Sequence, residues 1–268
     1  MHPELMEKVN AFIRQKEIPL LGAADAATLN RLAPEGFRPM DLLPNAKSAL
    51  VLARPLPASV FRAPRHNRHY SSYTGSFHTY SHAMNDAVAA ICVMLEAAGY
   101  ASLPIPSYSP LAYHNGEPRG IASLKHFAVQ AGLGKMGKNT LLIHPHYGTT
   151  LRLGGLLTEM AWPASGPADL PRICPEKCDI CLKACPVGAL SEKGIDITRC
   201  MCNCIEHLLL PPFMLMRPLR WLTAHSRFMT QLMEQLTMSL FEMYSVSCFK
   251  CLERCPHFPR HKTAKAEA

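Results

Sequence analysis

The segment CPEKCDICLKACP sets Cys174, Cys178, Cys181 and Cys185 in a C-x3-C-x2-C-x3-C-P run, and CFKCLERCP sets Cys248, Cys251 and Cys255 in a C-x2-C-x3-C-P run. Thiolates this dense bind soft metals, and the trailing proline is the form of bacterial ferredoxin runs. There three close thiolates wrap one cubane and the cysteine before proline reaches the other. Two runs predict two 4Fe–4S clusters. By that crossover the first takes Cys174, Cys178, Cys181 and Cys255. The second takes Cys185, Cys248, Cys251 and one of Cys200, Cys202 and Cys204 from RCMCNC. Zinc knuckles are the competing use, but zinc draws its ligands from separated pairs. Cys174 stands one residue further out than the usual C-x2-C spacing, which widens the loop there. Paired clusters would pass single electrons at low potential.

Elsewhere the composition is that of a folded protein, with 48% hydrophobic and 18% charged residues in 268. The N-terminal segment MHPELMEKVNAFIRQ is charged and reads as no export signal, which points to the cytoplasm. Eleven cysteines in a reducing compartment are better used on metal than in disulfides. The most apolar stretch, HLLLPPFMLM, is too short and too proline-broken to span a membrane. A formal charge of +8 predicts an acidic partner, either a flavodoxin or ferredoxin donor or a nucleic acid. The one dense basic patch, FRAPRHNRHY with Arg62, Arg65 and Arg68, is a solvated loop or a phosphate site.

The elements that must position these thiols read as an α/β layer over residues 1–165, followed by a cysteine-rich domain over 166–268. Residues 4–16 have helical spacing, and PLLGAAD and SALVLARPL read as short buried strands. A helix runs from near Ser81 to Gly99, with Cys92 as a small core residue on its apolar face. A short helix capped by Ser123 and stopped at Gly132 leads through a glycine turn into two strands. A Pro/Ser/Gly/Ala stretch around prolines 163, 167 and 171 marks the boundary. Residues 205–246 form a methionine- and leucine-rich helical insertion of two or three helices, used either to dock a partner or to cover the clusters.

GLGKMG fits G-x-G-x-x-G at Gly132, Gly134 and Gly137, and Glu159 lies where a ribose ligand is expected. Dinucleotide binding needs a strand before the glycines and a helix after them. Here the order is reversed, so a nicotinamide dehydrogenase is disfavoured.

AVQAGLGKMGKNTLLIHPHYGTTLRLGGLLTEM, PEGFRPMDLLPNAKSALVLARPL and the order of cysteine motifs resemble the epoxyqueuosine reductase family, relatives of the reductive dehalogenases. The resemblance covers most of residues 18–200 and the last cysteine run. It implies a nitroreductase-like α/β (α+β) sheet domain holding a base-off cobalamin, joined to a dicluster ferredoxin-like domain that reduces the cobalt. It selects Cys200 as the eighth ligand. It also makes Gly132, Gly134 and Gly137 the backbone approach to the corrin, with Lys138 or Asn139 bonding its amide side chains.

Two departures stand against a tRNA substrate. The family's aspartate proton donor falls on Pro118, which leaves Glu117 or Tyr113 as general acid. The helical-repeat extension of many tRNA-acting members is missing as well. The expectation is an oxidoreductase acting on a small-molecule or nucleotide-linked substrate. The alternative is a ferredoxin-type electron carrier or activase without a corrinoid.

Overall fold

The computed structural model describes residues 2–61, 67–107, 111–171, 173–206, 213–240, 245–246 and 248–259. Helix α1 (Pro3–Gln15) begins with proline, whose missing N–H costs nothing at a helix start, and buries Val9 and Ile13. Strand β1 (Leu20–Asp25) follows, and Asp25 then caps α2 (Ala26–Leu32) by accepting from the Thr28 N–H at 2.8 Å. Next come α3 (Pro39–Leu42), β2 (Ser48–Pro55), a 3-10 turn at Ala58–Phe61, α4 (Asn67–Ala97) and β3 (Ser102–Ile105). The chain continues through β4 (Leu111–His114), β5 (Glu117–Gly120), α5 (Leu124–Gln130), β6 (Lys135–Met136), β7 (Leu142–Ile143) and β8 (Leu151–Thr158).

Strands β1, β2, β8 and β3 form one antiparallel sheet in that order, with Val51 opposite both Gly22 and Gly155. The pleat sends alternate residues of β2 to opposite faces. Ala49, Val51 and Ala53 join Leu124, Phe127 and Ala128 of α5 in one core. Leu50 and Leu52 join Met84, Val88, Ile91, Cys92 and Leu95 of α4 and Val9 and Ile13 of α1 in the other. The result is a mixed α/β fold with helices on both faces of the sheet. Glycine makes the close layering possible: a Cβ on Gly155 would sit 2.5 Å from Leu124 Cδ2, and one on Gly154 would sit 3.2 Å from Met84 Cβ.

Helix α4 begins well before Ser81. Its first half lacks the apolar stripe of a single core, because Tyr73 and Phe77 serve a third cluster with Leu56, Phe61, Val246, Leu252 and Phe258. That cluster ties the sheet part to the cysteine-rich part. Arg62 and Arg65 of the basic patch lie outside the described residues, as does the side chain of Arg68.

The cysteine-rich part holds α6 (Ile180–Ala184), β9 (Leu190–Ser191), β10 (Gly194–Ile195), α7 (Ile197–Cys204), β11 (Ile205–Glu206), α8 (Phe213–His225), α9 (Arg227–Leu240), β12 (Ser245–Val246) and α10 (Lys250–Glu253). The stretch expected to separate the two parts is strapped to the sheet. Ser165 Oγ accepts from the Ala23 N–H at 2.7 Å and donates to the Ala131 carbonyl at 3.0 Å. No described helix is long and apolar enough to cross a membrane.

Candidate metal centre

All eleven cysteines are free thiols. Cys181 lies on α6 and Cys185 at its C-cap, where Sγ accepts from the Ala189 N–H at 3.2 Å. Cys251 lies on α10, which packs against α6, and Cys255 follows one turn later. Cys200, Cys202 and Cys204 lie on α7.

Two groups of sulfurs emerge from the charges that each thiol feels. Burial raises the pKa of Cys181, and the nearby Cys174, Cys255 and Cys178 raise it further. Burial likewise raises Cys255, against a hydrogen bond from the His257 N–H, with Cys174 and Cys178 again adding to the rise. Cys251 is pushed up to about 12, first by burial and then by Cys200, Cys248, Cys181 and Cys185. Cys200 is lowered to about 7, chiefly by a hydrogen bond from Cys204 and further by the Lys125 ammonium. Cys204 is raised by that same bond, by burial, and by Cys200, Cys248 and Cys251. Cys202 responds to burial and Asp196 and to no other thiol.

The thiols thus fall into two overlapping neighbourhoods, Cys181 and Cys255 with Cys174 and Cys178, and Cys251, Cys200 and Cys204 with Cys248, joined where Cys251 feels both Cys181 and Cys185. As a donor set, two groups of soft thiols fit iron–sulfur clusters. Among the described residues no three His, Cys, Asp or Glu side chains converge on a single-ion position. A cluster spreads its ligands over several iron atoms and does not require such convergence.

Around the second group, Lys125 is half-buried and donates to the Thr140 carbonyl at 2.8 Å. Burial lowers its pKa while Cys200 and Cys251 pull the other way. Phe249, between Cys248 and Lys250, stacks against Tyr73 with ring centroids 5.0 Å apart. Tyr73 in turn accepts from Arg152 Nη2 at 2.7 Å.

The glycine turn is closely packed by the chain itself. Gly132, at φ +77°, ends α5: the Leu133 N–H bonds the Ala128 carbonyl and the Gly132 N–H bonds that of Val129. A Cβ on Gly132 would lie 2.7 Å from the Ser165 oxygen, and one on Gly134 would strike the Ile143 oxygen. One on Gly137 would meet Asn139 Oδ1 at 2.6 Å. Asn139 is buried, accepts from the Leu141 N–H at 3.2 Å and points Nδ2 at the Cys251 carbonyl at 3.4 Å. Lys138 Nζ bonds the Glu176 carbonyl and lies 2.8 Å from Glu192 Oε1. The protein's own atoms thus take up the Cβ side of each glycine, and Lys138 and Asn139 bond the cysteine-rich part. Ser123 holds the N-cap position of α5, but its hydroxyl pairs with His126 Nδ1 at 2.6 Å and caps no backbone N–H.

The expected general acids lie on a β-hairpin. Asn115 and Gly116 both have positive φ between β4 and β5, as a type I′ turn requires. The Asn-Gly pair in YHNGEPRG was the signal for it, masked by Pro118 in the second strand. Glu117 is clasped: Arg119 lies 2.7 Å from Oε2 and Arg220 of α8 bonds Oε1. Glu117 thus ties β5 to α8 through both carboxylate oxygens. Tyr113 faces Pro118 across the ladder, and its N–H donates to Glu234 of α9 at 3.0 Å.

Fold and site together define a mixed α/β protein with a cysteine-rich part. Solved epoxyqueuosine reductases share the fold. The one from Streptococcus thermophilus matches 96% of this chain and 66% of its own, with a TM-score of 0.57 and 16% identity. The one from Bacillus subtilis matches 94% and 66%, with a TM-score of 0.57 and 18% identity. In sequence, the epoxyqueuosine reductase of Synechococcus sp. (strain RCC307) is 45% identical over 78 residues, 29% of this chain and 24% of that protein. That of Bacillus cereus is 26% identical over 167 residues, 61% of this chain and 41% of its own length. The chain thus spans less than half of either relative. No family model matches it. The chain resembles epoxyqueuosine reductases in sequence as well as in fold, and these relatives are enzymes.

Proposed function

We propose that the protein is a reductase of the epoxyqueuosine reductase type carrying two 4Fe–4S clusters. Cys174, Cys178, Cys181 and Cys255 hold one, and Cys185, Cys248, Cys251 and Cys200 hold the other. What supports this is the nearness of Cys255 to Cys174 and Cys178, and of Cys251 to Cys200, Cys248 and Cys185 as well as Cys181, which follows the crossover of the sequence motifs. The hydrogen bond between Cys200 and Cys204 makes Cys204 the alternate eighth ligand, and Cys202 takes no part. In this reading residues 1–165 are the nitroreductase-like sheet domain and 166–268 the ferredoxin-like one.

When bound, the clusters supply single electrons at low potential. The chain's own groups tune that supply. The Ala189 and His257 N–H groups donate to Cys185 and Cys255 sulfur, and Lys125 sets a positive charge beside the second group. The aromatic cluster of Phe61, Phe249 and Phe258 keeps water from one side. A low-potential flavodoxin or ferredoxin is the donor, and the substrate is a small or nucleotide-linked molecule. Tyr113 is the proton donor of this reading. It stands directly across the ladder from Pro118, the position matching the family's aspartate, and the Bacillus subtilis relative is described with an aspartate on its catalytic loop. No step is routed through a corrinoid.

The filled glycine turn favours a second reading, an electron carrier or activase that shares the fold and the clusters. Metal and sulfide analysis of anaerobically purified protein tests both. About eight iron per chain supports the clusters, and retained cobalt after incubation with cobalamin separates the enzyme of the family type from the carrier. Zinc without sulfide would sink both readings.

A further inference from the structure

Helices α8 and α9 turn one side to the molecule. The Arg220 carbonyl lies against Gly116, Arg220 clasps Glu117, and Glu234 takes the Tyr113 N–H. Their other side is open. Trp221 is 61% exposed, Phe228 71%, Leu236 44%, Leu222 41% and Leu232 37%, which is five of the ten large apolar residues exposed among the described residues. Water does not favour such a concentration on one helix pair, and patches of this kind mark interaction sites. Trp221 is held in place by stacking on His225, with centroids 4.9 Å apart.

The charge on this face has one sign. Arg217 and Arg227 are exposed, and Glu234, the only acidic residue between Phe213 and Leu240, is committed to Tyr113. Aromatic and arginine side chains, with lysine and acids depleted, are the composition of protein interface centres. The surface is also near the proposed electron path. Helix α8 packs on α7, which carries Cys200 and Cys204, and packed helices run about 8–10 Å apart. The exposed side of α8 thus belongs to a helix that touches the carrier of Cys200 and Cys204.

We propose that the exposed α8–α9 face is the docking site for an acidic, low-potential electron-donor protein. This rests on the reading that the thiols hold clusters. Each encounter transfers one electron: the donor is oxidised by one, one cluster is reduced by one, and no bond is made or broken. Basic residues on the fringe steer the encounter, and the apolar centre holds it. Nucleic acid is the poorer match, because three leucines find no partner on phosphates or base edges. An anionic bilayer is the other acidic surface an apolar and basic face can meet.

Stopped-flow bleaching of the anaerobic, iron-loaded protein tests the site, with photoreduced flavodoxin, a reduced acidic ferredoxin, and dithionite as the small-reductant control. In the double variants Trp221→Ser/Phe228→Ser and Arg217→Glu/Arg227→Glu, the second-order rate with at least one donor protein falls about tenfold or more. The dithionite rate and iron content stay as in the wild type, and added salt slows the wild type with the protein donors alone. Unchanged donor rates in both variants overturn the proposal. So does sedimentation of the wild type with phosphatidylglycerol vesicles that Trp221→Ser/Phe228→Ser abolishes, with donor rates unaltered. If dithionite bleaches nothing in the wild type, the cluster reading fails and the docking site falls with it.

Discussion

Arg152 on β8 donates from Nη2 to the phenolic oxygen of Tyr73 on α4 at 2.7 Å, while its guanidinium stacks over Phe77 at 4.4 Å from the ring centroid. Arg152 Nε is buried and, among the described residues, has no hydrogen-bond partner. It also sits directly opposite Arg54 across the ladder, a costly pairing of like charges. The phenol is therefore a main source of polar compensation for this cation. Replacing Tyr73 by Phe strands a second guanidinium N–H at little change in volume, and should cost about 1–3 kcal/mol. Urea unfolding of the anaerobic protein measures it, and a loss under half a kcal/mol would contradict the role given to the bond.

The thiol grouping predicts which cysteines carry iron. Cys178→Ala and Cys251→Ala should each bring the iron content down from about eight to about four per chain, each through a different cluster. Cys202→Ala should leave it unchanged. Cys200→Ala should keep partial loading through Cys204, and only the double Cys200→Ala/Cys204→Ala variant should empty the second group. Iron and sulfide counts with low-temperature EPR of the reduced protein read all five.

Cys92 stands apart from the other ten cysteines. Buried on α4, chiefly by desolvation and secondarily by Glu96, its thiol is pushed up to about 12. The unfolded chain ionises the same thiol near its ordinary value of about 8.5. The folded state thus holds a proton that the unfolded state gives up. This contribution to stability is full below about pH 8.5 and is lost as pH rises toward about 12. Cys92→Ala should flatten the decline of stability with pH in that window relative to wild type. Iodoacetamide at pH 8 should leave Cys92 unlabelled until the chain is unfolded.

Gly155 lets α5 press on the central strand. A methyl there would meet Leu124 Cδ2 at 2.5 Å and the Leu50 carbonyl at 3.1 Å. Leucine can yield and backbone cannot, so Gly155→Ala should cost about 1–3 kcal/mol as an overpacked core. Thermal unfolding of Gly155→Ala beside Gly99→Ala reads two different causes: Gly99 has open space but a left-handed backbone at φ +87°.

Glu117 distinguishes a clasp from a catalyst. Its partners Arg119 and Arg220 are 51% and 38% exposed, which limits each pair to about 0.2–1 kcal/mol. Glu117→Gln should therefore destabilise slightly and leave the pH profile of turnover in place. Tyr113→Phe should lower turnover about 100-fold or more, the scale of a lost general acid. A Gln variant without turnover would return the proton donor to Glu117.

Much of this protein was legible along the chain. The cysteine runs marked the segments that carry the thiols, because spacing within a few residues is a local property that survives folding. The unbroken apolar run in SALVLARPL and the apolar stripe ending at Gly99 marked β2 and α4, since β2 is buried on both faces between two cores and the second half of α4 packs on one of them. Other matters were decided only in three dimensions. Whether Cys200, Cys202 or Cys204 faces the second group depends on how α7 is rotated against α10, which spacing along the chain cannot specify. The early start of α4 was hidden because Tyr73 and Phe77 find their apolar neighbours in Leu252 and Phe258, far along the chain. The glycines of GLGKMG carried the pattern of a ligand loop, yet they are required by the approach of the protein's own backbone at Ser165 and Ile143. A glycine records that something comes close, and only tertiary packing decides whether that something is a cofactor or the chain itself.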